Sequence, residues 1–253
     1  MEDFVELHGD RRYGDDPAIV TGLGRIGPWR LLIIGHNKGR PPDGGNCCRF
    51  GSAHPEGFRK ALAKMKLAEK FDVPVLSIID TPGACSGQGA EMRGQAHAVA
   101  CNLREMSRLR VPILVINIGE GGSGGALGIG VGDHMAMMQY SYYSVISPEG
   151  CAEVLCHDIG AAVKAASVLR LTSRDAVALG LADATIPEPL GGAHRNPTQA
   201  IHNVWEYILK AIKPLCTCAR SELIRRRYAR LRAFGSHTVR MIDKQDGVYD
   251  QGI

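Results

Sequence analysis

Eight glycines fall within the fourteen residues 119–132, and no other feature of the chain limits its fold as sharply. Each glycine inside a helix or strand costs roughly 0.5–1 kcal/mol relative to alanine, so such a run needs a reason beyond fold economy. It directly follows Val111-Pro112-Ile113-Leu114-Val115-Ile116-Asn117-Ile118, a compact apolar run suited to a buried strand. Where a buried strand gives way to a helix, residues without side chains let backbone N–H groups face a cleft and meet a negative oxygen. The competing reason is packing: small residues also let a helix approach its neighbour closely, and that reading suits Gly128, Gly130 and Gly132 best.

A second unit has the same design. Val73 to Ile79 reads as a buried strand ending in Asp80-Thr81-Pro82-Gly83-Ala84. Between the two strands, Met92, Ala96, Val99, Leu103 and Met106 keep the +4, +3 rhythm of one buried helix face. Strand, loop, helix, strand is a βαβ unit, so the expected class is α/β, with both glycine loops emerging at one edge of a parallel sheet. Two loops would then face one cleft.

The flanking elements follow from the same rules. Ala18 to Gly22 and Leu31 to Ile34 read as two strands joined by a turn at Gly27-Pro28. Gly22-Leu23-Gly24-Arg25-Ile26-Gly27 spells GxGxxG, but a strand follows it where a dinucleotide site needs a helix. Residues 41–54 read as loop. After Pro55, Phe58, Leu62, Met65 and Ala68 give a helix with Arg59, Lys60, Lys64 and Lys66 mostly on its other faces. Further on come a strand at 142–146, a helix from Ser147, a capping-box-like start at Thr172 with Asp175, a helix over 201–212 and a strongly basic helix over 221–234. That basic helix reads as a solvated face or a surface for an acidic partner. One domain over 1–235 with a frayed tail over 236–253 is the expected organisation.

Composition excludes several classes. Hydrophobic residues make up 45% of the 253, enough for a single large core, and the net charge of +4 comes without the long Lys/Arg blocks of a nucleic-acid tail, so no nucleic-acid partner is expected. No uncharged run approaches the ~18 residues that span a bilayer, and the acidic start Met1-Glu2-Asp3 is no export signal, so a cytoplasmic protein without membrane contact is expected. The eight cysteines lack paired CxxC spacing, which favours reduced thiols and argues against a metal site.

Gly121-Gly122-Ser123-Gly124-Gly125 also satisfies GxSxG. A serine hydrolase would need an acid and then a histidine downstream, which Asp133, Asp158 or Asp183 with His194 formally supply. Five consecutive small residues suit the elbow poorly, and Ser123 reads better as a helix cap or ligand contact. The loop from Pro187 to Pro197, with His194 and Arg195, reads as a structured connection or a ligand contact.

Taken together, the blocks His8–Arg11, Gly35–Arg40, Pro55–Lys60, Asp80–Ala84, Asn102–Arg108, Gly119–Ala126, Tyr143–Cys151 and Ile186–Pro197 resemble the carboxyltransferase α-subunit family of acetyl-CoA carboxylase, in colinear order from about residue 7 to about residue 234. The resemblance implies a crotonase-like (ClpP/crotonase) fold, a spiral of ββα units with two stacked sheets. It implies transfer of a carboxyl group from carboxybiotin, carried on biotin carboxyl carrier protein, to acetyl-CoA to give malonyl-CoA in fatty acid synthesis. Carboxybiotin is then a co-substrate, no metal is bound by this chain, and the partners are a zinc-ribbon β subunit in an α2β2 assembly, the carrier protein and biotin carboxylase. The family's Ser-Gly-Gly-Ala block matches Gly124 and Gly125, which would form an oxyanion hole for the biotin ureido oxygen, with Gly83, Ala84, Gly122 and Ser123 as substrate contacts. Cys85-Ser86-Gly87 stands where the family has Tyr-Pro-Gly, and residues 43–48 replace its basic loop. A non-catalytic relative that binds the β subunit, and a Ser123 hydrolase of the same superfamily, are the alternatives.

Overall fold

In the computed structural model, which describes residues 2–39 and 47–235, the strands are β1 (Glu2–Glu6), β2 (Ile19–Ile26), β3 (Trp29–His36), β4 (Val75–Thr81), β5 (Ile113–Gly122), β6 (His134–Met138), β7 (Tyr142–Ser144) and β8 (Ala184–Ile186). The helices are α1 (Pro55–Phe71), α2 (Gln88–Met92), α3 (Gln95–Met106), α4 (Ser123–Gly130), α5 (Pro148–Cys156), α6 (Ala162–Leu169), α7 (Ser173–Ala178), α8 (Pro197–Cys216) and α9 (Arg220–Ala233). One mixed sheet runs β1-β2-β3-β4-β5-β6-β8, antiparallel through β3 and parallel thereafter. The two sheets implied by the resemblance are here continuous: β5 pairs with β6 as far as Asn117 and then carries β7 on Glu120–Gly122. The 41–46 part of the expected loop and the tail from Ser236 lie outside the described residues; Arg49–Gly51 forms a single 3-10 turn.

The central strands are buried on both faces, as parallel strands flanked by helices must be. Ile113 and Val115 of β5 join Phe58, Met65, Met106 and Met137 in one core under α1, α3 and α4. Leu114 and Ile116 point the other way, into a second core closed by Ile208 and Ile212 of α8. The GxGxxG run lies within β2 and its turn, where Gly27 at φ +55 opens the two-residue hairpin to β3, so no helix receives a phosphate there.

Two expectations about buried faces are corrected. The 92–106 helix is broken at Gly94 (φ +82), which shifts the helical phase, so Met92 is 81% exposed and Ala96 lies outside the core. Its buried face is Gln95, Ala98, Asn102 and Met106, with Val99 and Leu103 packed at the margin. The polar members are tolerated because their amides reach carbonyls: Gln95 Nε2 donates to Ala53 O, and Asn102 Nδ2 donates to Phe58 O and Gly128 O. Lys60 of α1 is also buried rather than solvated, donating to Asp15 Oδ1 at 2.5 Å and Asp16 O at 2.9 Å.

The chain before β2 is thus tied down by carboxylates. Burial would raise the Asp10 carboxyl, but N–H groups of Tyr13, Arg12 and Gly14 and the Arg59 guanidinium at 2.7 Å outweigh it and bring the pKa down from 3.8 to about 2. A carboxyl lowered by folding stabilises the protein above its unfolded pKa and loses that contribution as pH falls through the folded one. About 2 kcal/mol should therefore disappear between about pH 4 and about pH 2. Urea denaturation across that range should show a shallower decline in Asp10→Asn; an unchanged slope would remove Asp10 from acid stability.

The candidate active site at the glycine edge

Two loops meet at the ends of β4 and β5, as their parallel register requires. Thr81 Oγ1 accepts from Gly83 N at 3.1 Å, turning the first loop across the second. The crossing is close: a Cβ on Gly122 would sit 2.0 Å from Pro82 O, and one on Gly125 would sit 2.5 Å from Gly83 C and 2.6 Å from Ala84 N. Glycine is needed at both positions because another backbone occupies the space. Gly128 answers to packing as well, since its Cβ would lie 2.4 Å from the Phe58 ring. Gly124 differs: a Cβ there would meet nothing nearer than Val99 Cγ1 at 3.9 Å. Among the first five glycines of the run, it is the one that packing does not demand.

A cleft of about 930 Å³ opens at this junction, walled by Gly83, Ala84, Gly122 and Ser123 on one side and by Val145–Glu149 and Leu171–Thr172 on the other. The four expected substrate contacts are thus together. Gly124 and Gly125 are not among the lining residues. They occupy the first turn of α4, where N–H groups lack intrahelical acceptors, and Gly124 N donates to Ser123 Oγ at 2.5 Å.

Ser123 lies at φ +51, a conformation that costs a residue with a Cβ roughly 1–2 kcal/mol. The strand-turn-helix setting of a nucleophile elbow, which the flexible composition seemed to preclude, is therefore present. Among the described residues, the rest of a triad is not. His194 borders a separate apolar cavity with Ile118 and Trp205. Asp133 pairs with Arg227, Asp183 accepts from Met135 N and Arg230, and Asp158 caps Gly160 N. The loop carrying His194 is a structured connection: Glu188 accepts from Tyr140 N and Ala193 N, and Asn196 caps α8 by accepting from Gln199 N.

A charged network behind the glycines went unread in the sequence. Lys38 bridges Asp80, at 3.1 Å, and Glu120, whose other oxygen accepts from Tyr142 Oη at 3.3 Å. Asp80 Oδ1 also accepts from Glu120 N at 3.0 Å, locking the two loops together. Burial alone would lower the Lys38 ammonium, but the two carboxylates hold it above its ordinary value. Burial, then the Glu120 charge, pushes the Tyr142 phenol up to about 12. Next to them stands His36, whose Nε2 is buried; burial brings its pKa down to about 3, so it is neutral, and its Nδ1 accepts from Asp80 N. Only the placement of Asp80 and Glu120 at the two strand ends could have signalled this cluster.

Comparison with known proteins bears on this site. Residues 1–235 match the family model for acetyl co-enzyme A carboxylase carboxyltransferase-like proteins. The chain is 52% identical over 235 residues to the acetyl-coenzyme A carboxylase carboxyl transferase subunit alpha of Thioalkalivibrio sulfidiphilus, covering 93% of this chain and 74% of that protein. The corresponding Thermus thermophilus subunit is 47% identical over 236 residues, covering 93% and 76%. Among solved structures, a Pseudomonas malonate decarboxylase hetero-tetramer in complex with coenzyme A superposes with a TM-score of 0.71 at 17% identity, covering 93% of both chains. The transcarboxylase 12S hexamer gives 0.66 at 17% identity, covering 83% of this chain and 39% of that one. These likenesses establish the crotonase-like fold. No described helix is long and apolar enough to cross a membrane.

Proposed function

The chain belongs to the acetyl-CoA carboxylase carboxyltransferase family as an α subunit, and on that footing we propose that its glycine-walled cleft receives the ureido ring of carboxybiotin for carboxyl transfer to acetyl-CoA. In this reading the carrier protein delivers carboxybiotin, and malonyl-CoA is the product. As the carboxyl group leaves, negative charge gathers on the ureido oxygen, and the methyl group of acetyl-CoA must lose a proton to become an enolate. Both species are oxyanions, so backbone donors and positioning supply the main catalytic contributions. The N–H groups of Gly124 and Gly125, at the positive end of α4, serve the ureido oxygen, and the Ser123 hydroxyl rotates away from Gly124 to admit it. Gly83, Ala84 and Gly122 hold the ring edge, and the Lys38–Glu120–Tyr142 network keeps both loops in place. The observation that carries this reading is Gly124: glycine stands at a helix N-terminus where no neighbour forbids a side chain.

The acyl-CoA half of the site belongs, in this proposal, to a zinc-ribbon β subunit. Beside the cleft, Val145, Val154, Leu155, Ile159, Val163 and Val168 on and around α5 and α6 are more than half exposed, up to 84% at Val163. Apolar surface of this kind suits a subunit contact. The purified chain alone is expected to transfer no carboxyl group. Adding a β subunit, free biotin and malonyl-CoA should restore the reverse transfer. Failure with a β subunit that works alongside a relative's α subunit would refute the assignment and leave a non-catalytic relative.

A further inference from the structure

Away from the cleft, α3 carries a second chemically distinct cluster. His97 and Cys101 stand four residues apart on one helix face, and Cys101 Sγ lies 3.4 Å from His97 Nε2. They border a small cavity of about 280 Å³ whose wall also carries Asp10, Arg12, Arg59, Leu62 and Lys66. Two of its three cations are committed, Arg59 to Asp10 at 2.7 Å and Lys66 to Glu105 at 2.6 Å. The Arg12 guanidinium has no carboxylate partner among the described residues, so an entering anion would meet it. In the wall, Asn102 is fully buried and spends its amide N–H groups on Phe58 O and Gly128 O, while its Oδ1 has no donor. A thiol hydrogen-bonded to an imidazole, on the wall of a cavity that also holds a spare cation, describes a site suited to a small anionic molecule.

We propose that Cys101 is a thiol-exchange site for small anionic disulfides, with His97 as its proton acceptor and Arg12 as the anchor for the ligand's carboxylate. In the tautomer with bare Nε2, the Cys101 S–H donates to His97. As Sγ attacks one ligand sulfur, that proton passes to His97 and the ligand S–S bond breaks. The departing thiolate then takes the proton back. One protein thiol and one disulfide become a mixed disulfide and a free thiol, with no outside oxidant. Three other cysteines are less suited: burial pushes Cys48 and Cys216 up to about 11, and exposed Cys156 has no histidine bonded to it among the described residues. The adduct would sit one residue from the Asn102 amide that ties α3 to α4, the helix that opens the cleft. Modification there would bear on the catalytic loop.

The test is peptide mapping by mass spectrometry of the full chain exposed to equal concentrations of oxidised glutathione, which is anionic, and cystamine, which is cationic. Cys101 should be modified by oxidised glutathione at least about tenfold faster than Cys156. Arg12→Gln should remove most of that advantage for oxidised glutathione while leaving cystamine unaffected. His97→Gln should slow both and change the pH dependence. Equal rates at Cys101 and Cys156 in the native chain, or an Arg12→Gln variant that keeps the full preference for the anionic probe, would overturn the proposal. Both variants lie on the surface side of the cavity and outside the carboxyl-transfer machinery, so their folding is checked by an unchanged melting temperature.

Discussion

Alanine at Gly125 should lower carboxyl transfer about a hundredfold or more, and should also weaken the fold by about 1–3 kcal/mol. Its Cβ would lie 2.5 Å from Gly83 C and 2.6 Å from Ala84 N, and neither backbone atom can swing aside as a side-chain tip could. The two loops must separate, which moves Gly83 and Ala84 on the cleft wall away from the α4 N-terminus. Gly124→Ala supplies the contrast. With only Val99 Cγ1 near, at 3.9 Å, its urea midpoint should match the native chain. Any loss of transfer in that variant reports on the ligand side, and a drop of about tenfold or more is expected if an oxygen must approach the Gly124 N–H closely. A Gly125→Ala enzyme that keeps its rate would mean that loop contact is not what shapes the site. Full activity in Gly124→Ala would remove Gly124 from the oxyanion role.

The second large effect is on stability. Arg227, on the basic helix that reads from the sequence as solvated or partner-facing, is 0% exposed. Its guanidinium forms a two-pronged pair with Asp133, Nε to Oδ1 at 2.8 Å and Nη2 to Oδ2 at 2.6 Å. It also donates to Met106 O, Leu109 O and Val111 O. Asp133 in turn accepts from Ile113 N at 2.8 Å, fixing the first residue of β5. Arg227→Met would leave that carboxylate buried without a counter-charge and three carbonyls without a donor, a loss of about 3–5 kcal/mol. Arg227→Lys should recover little of it, because one ammonium cannot reproduce the planar fork. Urea denaturation decides the matter: a change below about 1 kcal/mol in Arg227→Met would show the pair to be dispensable.

These cases show which parts of the molecule local sequence can reveal. Strands β4 and β5, their glycine loops and the shared edge were legible because apolar runs and glycine placement act over a few residues. The cap at Thr172, whose Oγ1 accepts from Asp175 N, was legible for the same reason. Lys60 and Arg227 were misplaced because a charged side chain reads as exposed until its partners are known, and these lie 44 to 121 residues away along the chain. Gly94 misled through phase: it turned a single apparent rhythm into two helices with different inward faces. In the site, Gly83, Ala84, Gly122 and Ser123 were found as glycine-loop residues. The opposite wall at 145–149 was not, since it arises only when β7 docks on the far half of β5, and the Lys38–Glu120 pairing was not, since its partners lie 82 residues apart along the chain.

Arg227 has a temporal meaning as well. The strand that ends in the glycine loop is pinned at its start by a residue 94 positions downstream of Asp133. On the ribosome, a growing chain that has already formed β4 and β5 still lacks this clamp until α9 has emerged. The start of β5 is thus held by its full set of bonds only once nearly the whole described chain is available.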